Sequence, residues 1–169
     1  MCSIVAEKAS KKSDFPQKGE WRAAKMSFYG DFQHNIDQKK RLFIPAQFRD
    51  DLGESFMLCK SPDTYKCIYA YTNERWEEIC EELHNLPPSE AARQQQRFAL
   101  VGAMRVEPDK QGRITIGQKL CDYAGLEREV VIFGSGHRIE IWDAAKWEQA
   151  LADAEKACDN ADTAVGIHY

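Results

Sequence analysis

From Phe28 to Ile36 the hydrophobic and polar positions follow the pattern of a strand, and Arg41 to Ile44 reads as a second strand. Asp37 to Lys40 between them is turn chemistry, so the pair predicts a β-hairpin with a charged tip. Pro45 then opens a short helix, Ala46 to Leu52, because proline suits a first helical turn, and Gly53 closes it by accepting positive φ. Phe56 to Lys60 and Cys67 to Tyr71 are two further strands. A helix capped by Thr72 or Asn73 follows, its apolar stripe being Trp76, Ile79, Cys80 and Leu83, with Pro87-Pro88 beyond its end. Ser89 caps a linking helix, Glu90 to about Phe98. The sequence of elements then repeats: a strand over Leu100 to Val106, another over Gly112 to Ile116, a short helix over Gln118 to Ala124, and a hairpin of Glu129 to Phe133 with Arg138 to Trp142. Asp143 is placed to cap a last helix with the stripe Trp147, Ala150, Leu151, Ala154.

The repetition extends to individual residues. Asp37-Gln-Lys-Lys-Arg41-Leu-Phe-Ile-Pro-Ala-Gln-Phe48 returns, 72 positions later, as Asp109-Lys-Gln-Gly-Arg113-Ile-Thr-Ile-Gly-Gln-Lys-Leu120. Gly30 maps to Gly102, Gly53 to Gly125 and, after the offset falls to 71, Trp76 to Trp147. Such a duplication predicts two half-domains related by an intramolecular pseudo-twofold, each presenting one D-x-x-x-R segment. The expected boundaries are a basic N-terminal extension over 1–25, a first repeat over 26–88, a linking helix over 89–99, a second repeat over 100–157 and an acidic tail over 158–169. Residues 1–25 are rich in Lys, Ser and Ala without an apolar period, the composition of a flexible arm, and Met26 is a second candidate for the first residue.

Composition narrows the class. The 169 residues are 43% hydrophobic and 11% aromatic, enough for a folded core. No apolar run approaches the length of a membrane span and no secretory signal opens the chain, so the expectation is a cytoplasmic protein without a membrane partner. Six scattered cysteines lack a C-x-x-C pair and read as reduced thiols, Cys59 and Cys67 included, although those two could face each other across a hairpin. The formal net charge of -4 argues against bulk attraction to nucleic acid. The charge is uneven, however: residues 1–25 carry six Lys/Arg against three Asp/Glu, and residues 148–169 carry one Lys against five Asp/Glu.

Local chemistry therefore decides the partner. An aspartate at the start of a tight turn accepts hydrogen bonds from the turn's own N–H groups, and Gly112 tolerates φ > 0. An arginine four residues later leaves the tip with a planar fork that matches two phosphate oxygens, or O6 and N7 of a guanine. Lys39, Lys40 and Lys110 add charge beside it. Two such tips side by side would give a small positive surface suited to double-stranded DNA. The plainer reading is that each Asp merely pairs with its own Arg; duplication of the motif weighs against that being all.

These segments, with Tyr123-Ala-Gly-Leu126 and Arg138-Ile-Glu-Ile-Trp142, resemble the MraZ family of bacterial transcriptional regulators over Met26 to about Ala157. The resemblance implies an α+β fold, a tandem-duplicated, swapped-hairpin, AbrB-like β-barrel with flanking helices. It also implies a ring-shaped homo-oligomer, nucleoid association, and binding to promoter direct repeats upstream of its own division and cell-wall operon, with repression as the outcome. DNA contacts then map onto Asp37, Lys39, Lys40 and Arg41, and onto Asp109, Lys110, Gln111, Gly112 and Arg113. Two positions depart from the family pattern. Lys40 stands where a glycine is usual before the first arginine, which implies either about 1 kcal/mol of strain at a positive-φ position or a different turn, while adding a charge. Gly117 replaces the proline usual after the second motif strand and loosens the entry to the short helix.

Other constellations carry less. Cys80 and His84 lie at i, i+4 on one helix, but two ligands do not make a zinc site. Gly134-Ser-Gly136 lies between strands without a following helix and reads as a hairpin turn. No grouping of Ser, His, Cys and carboxylates marks a catalytic site, so neither an enzyme, a cofactor nor a small-molecule substrate is expected. The aromatics Phe28, Tyr29, Tyr65, Tyr69, Tyr71, Trp142 and Trp147 fit core or subunit-contact positions better than base-stacking platforms. An AbrB-type antitoxin or transition-state regulator, and a ring-shaped scaffold without DNA binding, are the alternatives.

Overall fold

The computed structural model describes residues 28–159; the basic extension, Met26 and residues 160–169 of the acidic tail lie outside the described residues. Thirteen elements follow in order: β1 (Phe28–Asn35), β2 (Arg41–Phe43), α1 (Ala46–Leu52), β3 (Phe56–Lys60), β4 (Ile68–Thr72), α2 (Asn73–His84), α3 (Glu90–Leu100), β5 (Met104–Val106), β6 (Arg113–Thr115), α4 (Gln118–Ala124), β7 (Glu129–Gly136), β8 (Ile139–Asp143) and α5 (Ala144–Asp159). The predicted caps form at two helices: Thr72 Oγ1 accepts from Arg75 N–H at 3.2 Å and Ser89 Oγ from Ala92 N–H at 3.0 Å. Asp143, expected at the start of α5, has its carboxylate turned to Glu127 N–H at 3.3 Å.

The strands pair antiparallel in a six-stranded sheet, order β1-β7-β8-β4-β3-β5, with a separate two-stranded ribbon, β2-β6. The hairpin expected of β1 and β2 is corrected by this pairing. Their tip closes, with Asp37 N–H donating to Arg41 O at 3.0 Å and a single bridge between Ile36 and Leu42, and then the strands part. β1 runs along all eight residues of β7, β5 pairs with β3, and β2 pairs with β6, so each of these ladders joins the first copy to the second. Only β3-β4 and β7-β8 are paired within a copy. The register is that of a pseudo-twofold: Leu42 faces Ile114 and Tyr69 faces Glu140, each residue opposite its own counterpart at offsets of 72 and 71. The barrel implied by the resemblance is not closed among the described residues, since β1 and β5 end the sheet and β2-β6 stand apart.

Alternation along the sheet makes two cores. One face, with Leu58, Ile68, Ala70, Ile132, Ile139 and Ile141, packs on α1, α4 and the ribbon through Phe48, Leu120, Leu42 and Ile114. The other face, with Cys59, Cys67, Tyr69, Tyr71, Val131 and Trp142, is covered by the Trp76 and Trp147 stripes of α2 and α5. Leu151 of the α5 stripe stays 45% exposed. Cys59 and Cys67 are buried free thiols, Cys59 lying opposite Tyr69, and burial pushes both up to about 12, which keeps them protonated and inert. The strand expected from Leu100 is shorter than the pattern suggested: α3 continues to Leu100, Gly102 turns at φ +90, and extended structure begins at Met104. No described helix is long and apolar enough to cross a membrane.

Candidate nucleic-acid interface

Each D-x-x-x-R turn is organised by its aspartate. Asp37 Oδ1 accepts from the N–H groups of Lys39 at 2.8 Å and Arg41 at 2.9 Å, while Oδ2 accepts from Arg41 Nε and Nη2, both at 2.7 Å. Asp109 repeats the arrangement with Gln111 N–H at 2.9 Å, Arg113 N–H at 3.0 Å, and Arg113 Nε and Nη2 at 3.0 and 2.9 Å. The Arg41 backbone N–H, then its side chain, hold the Asp37 carboxyl below its ordinary range; Arg113 does the same for Asp109. Each Asp thus pairs with its own Arg, as the plainer reading had it. An exposed ion pair adds little to stability, so its main effect is to aim a guanidinium that would otherwise sample many rotamers.

The third turn residue must enter the left-handed region, and does so at Lys40 (φ +58) and Gly112 (φ +78). Lys40 is the one non-glycine with positive φ among the described residues, where a side chain carries a cost of about 1 kcal/mol. Gly112 has a second reason to be glycine: a Cβ there would lie 2.5 Å from Arg49 Nη1. Being buried beneath Arg49, it shapes the turn and offers little surface for contact.

The ribbon brings the turns together. Arg41 pairs with Thr115, Leu42 with Ile114 and Phe43 with Arg113. Ile44 N–H donates to Gly112 O at 3.0 Å and Ile116 N–H to Lys40 O at 2.9 Å, so each turn is stitched to the opposite strand. Leu42 and Ile114 are buried, and alternation leaves Arg41, Phe43, Arg113 and Thr115 on the outer face. The two arginines stand diagonally on that face, two strand positions apart, or about 7 Å. Lys39, Lys110 and Gln111 are exposed at the tips and Lys40 is half-buried. All nine residues of the sequence-derived site therefore lie on the ribbon or its two turns.

Three residues that sequence reasoning passed over join them. Phe43 is 36% exposed, with Arg49 Cζ 5.4 Å from its ring centre and the His34 ring 5.5 Å away. The available signal was an aromatic residue at an outward position of a three-residue strand. On the far side of the sheet a cavity of about 360 Å³ opens between β4, α2 and α3. Two of its polar groups already have partners: Arg138 pairs with Glu140 at 2.7 Å and the Tyr69 hydroxyl donates to Asp63. No group of three or more potential metal ligands occurs among the described residues.

Comparison with known proteins agrees with the duplication. The family model described as "MraZ protein, putative antitoxin-like" matches twice, over residues 27–98 and 99–166. The transcriptional regulator MraZ of Acetivibrio thermocellus is 44% identical over 134 residues, 79% of this chain and 92% of that protein. Its namesakes in Lachnoclostridium phytofermentans and Desulforamulus reducens are 44% and 43% identical, covering 75% and 76% of this chain and 88% and 89% of their own lengths.

Proposed function

This chain belongs to the MraZ family, and we propose that it is a transcriptional regulator that binds double-stranded DNA through the β2-β6 ribbon. The observation that carries the reading is the pair of Asp-held arginines, Arg41 and Arg113, on one outward face. A two-stranded ribbon fits the major groove of B-DNA, where an arginine fork reads guanine; Lys39, Lys40 and Lys110 at the tips reach flanking phosphates. The Asp37 and Asp109 carboxylates stay behind the guanidinium groups as positioning residues.

The finer reading follows from the family. The exchanged strands are those of a swapped-hairpin unit formed within one chain. Copies of the chain assemble as a ring, and the target is a set of direct repeats upstream of its own operon, which it represses in the nucleoid. One ribbon makes few contacts, so tandem repeats raise affinity through effective concentration. The test is titration at stated salt of a fluorescent duplex from upstream of the gene, against a shuffled competitor. Preference for the upstream duplex, lost in Arg41→Ala/Arg113→Ala with the log-log salt slope flattened by about 0.9 per lost phosphate contact, is the expected result. Undiminished affinity in a folded double variant would overturn the interface. The antitoxin wording of the family description favours a second reading, in which a stoichiometric protein partner co-purifies with the chain.

A further inference from the structure

The two halves of the ribbon share a backbone but differ in chemistry, and the difference is concentrated around one arginine. Across from Arg113 stands Phe43, with Arg49 and His34 against its ring. Their counterparts at an offset of 72, on the Arg41 side, are Thr115, Cys121 and Val106, of which Cys121 and Val106 are buried. One end of the outer face therefore offers an aromatic ring and an extra cation, and the other offers a hydroxyl and a methyl group. We infer that Phe43 is a specificity-determining contact of the ribbon, meeting the 5-methyl edge of a thymine in the major groove, so that the DNA site is read in one direction.

A single exposed phenylalanine is common on protein surfaces and by itself signals nothing. Two observations separate this one. It occupies the outward position directly across from Arg113, on the face that carries both arginines. Its ring is also held in place, with the Arg49 guanidinium at 5.4 Å and the His34 imidazole at 5.5 Å. Burial keeps His34 below the ordinary imidazole value, so at neutral pH it flanks the ring as an uncharged group. Thymine alone presents an apolar group in the major groove, and phenylalanine is a side chain that meets it. An arginine reading guanine beside a ring reading thymine defines an ordered step, and at the Arg41 end only the smaller Thr115 methyl stands in place of the ring. The inference rests on the DNA-binding reading above and deepens it.

The experiment replaces each thymine of the upstream duplex in turn by deoxyuridine, which removes only the 5-methyl group, and measures binding by wild type, Phe43→Thr and the exchange variant Phe43→Thr/Thr115→Phe. Wild type should lose roughly three- to fivefold in affinity at a small number of thymines, all on one side of each repeat. Phe43→Thr should bind the unmodified duplex more weakly by up to a similar factor, with an unchanged salt slope, and should respond less to those substitutions, since threonine keeps one methyl group. The exchange variant should shift the sensitive thymines to the other side of the repeat. A silent deoxyuridine scan on wild type that still prefers its own duplex would overturn the inference and leave the regulator reading standing. Undiminished sensitivity at the same thymines in Phe43→Thr would also overturn it. Wild type that fails to prefer the upstream duplex would bring down both. Should Phe43→Thr fail to fold, the wild-type scan decides the matter alone.

Discussion

The turns at Asp37–Arg41 and Asp109–Arg113 are a natural pair of experiments on one backbone. Both use two carboxylate oxygens to hold two N–H groups and one guanidinium, and both cross into positive φ at the third turn residue. They differ in several of the side chains they carry: Lys40 against Gly112, Phe43 against Thr115, Pro45 against Gly117 and Arg49 against Cys121. The turn is therefore specified by the aspartate and the register of the ribbon, and the remaining positions are free to diverge in what they present. A site with two equal arms in its backbone becomes a site with two unequal arms in its side chains.

The equivalence is sharpest in the core beneath the ribbon, and the largest effects are expected there. Leu42 and Ile114 face each other, 0% and 1% exposed, and either change to alanine should cost about 2–5 kcal/mol in urea unfolding. A gap of more than about 2 kcal/mol between the two would show that the halves are not packed alike. The turns themselves come next. Gly112→Lys must place a side chain at φ +78 and displace Arg49, and should cost about 1–2 kcal/mol or more, whereas Lys40→Gly should stabilise by about 1 kcal/mol. Denaturation midpoints with unchanged m-values would measure both, and equal and small effects would mean that the turn conformation carries no strain.

Acid should affect the two turns in the same sense. Because the folded-state pKa values of Asp37 and Asp109 lie below the ordinary 3.8, their contribution to stability is full above that value and is lost as pH falls through the depressed ones. Asp37→Asn/Asp109→Asn should show a shallower loss of stability across that acid range, read from unfolding midpoints at stepped pH, and an identical slope would contradict it. The smallest effect is expected at Gly117→Pro. Gly117 has φ -63 and ψ 142, close to Pro45 at -51 and 138, so proline fits the backbone and gains about 0.4–1 kcal/mol from the unfolded state. Against this, the Gly117 N–H donates to Met104 Sδ at 3.3 Å and a Cβ would approach that sulfur to 2.9 Å. A thermal midpoint within a few degrees of wild type is expected; a rise beyond that would show that Met104 moves aside freely.

Much of this is legible in the sequence. The short helices over Ala46–Leu52 and Gln118–Ala124, strand Phe56–Lys60 and the cap residues Thr72 and Ser89 follow from periodicity and local hydrogen-bonding chemistry, which act within a few residues. The extent of α3 did not, because the apolar run through Leu100 and Val101 suits helix and strand alike until Gly102 turns the chain. Strand partners did not either. Adjacent strands joined by a tight turn ordinarily pair, yet β1 and β2 share a single bridge.

The sequence by itself determined that there are two copies of one unit, that each carries an Asp-ordered turn, and that an arginine leaves each turn at a fixed offset. Those properties are local, set by side chains bonding to their own backbone. Only the tertiary structure decided that the copies exchange strands, that the ribbon sets Arg41 and Arg113 diagonally on one face, and that Phe43 comes to lie across from Arg113 with Arg49 against its ring. Those are pairings between residues tens of positions apart, selected by which apolar faces can be buried together, and no short window of sequence contains both partners.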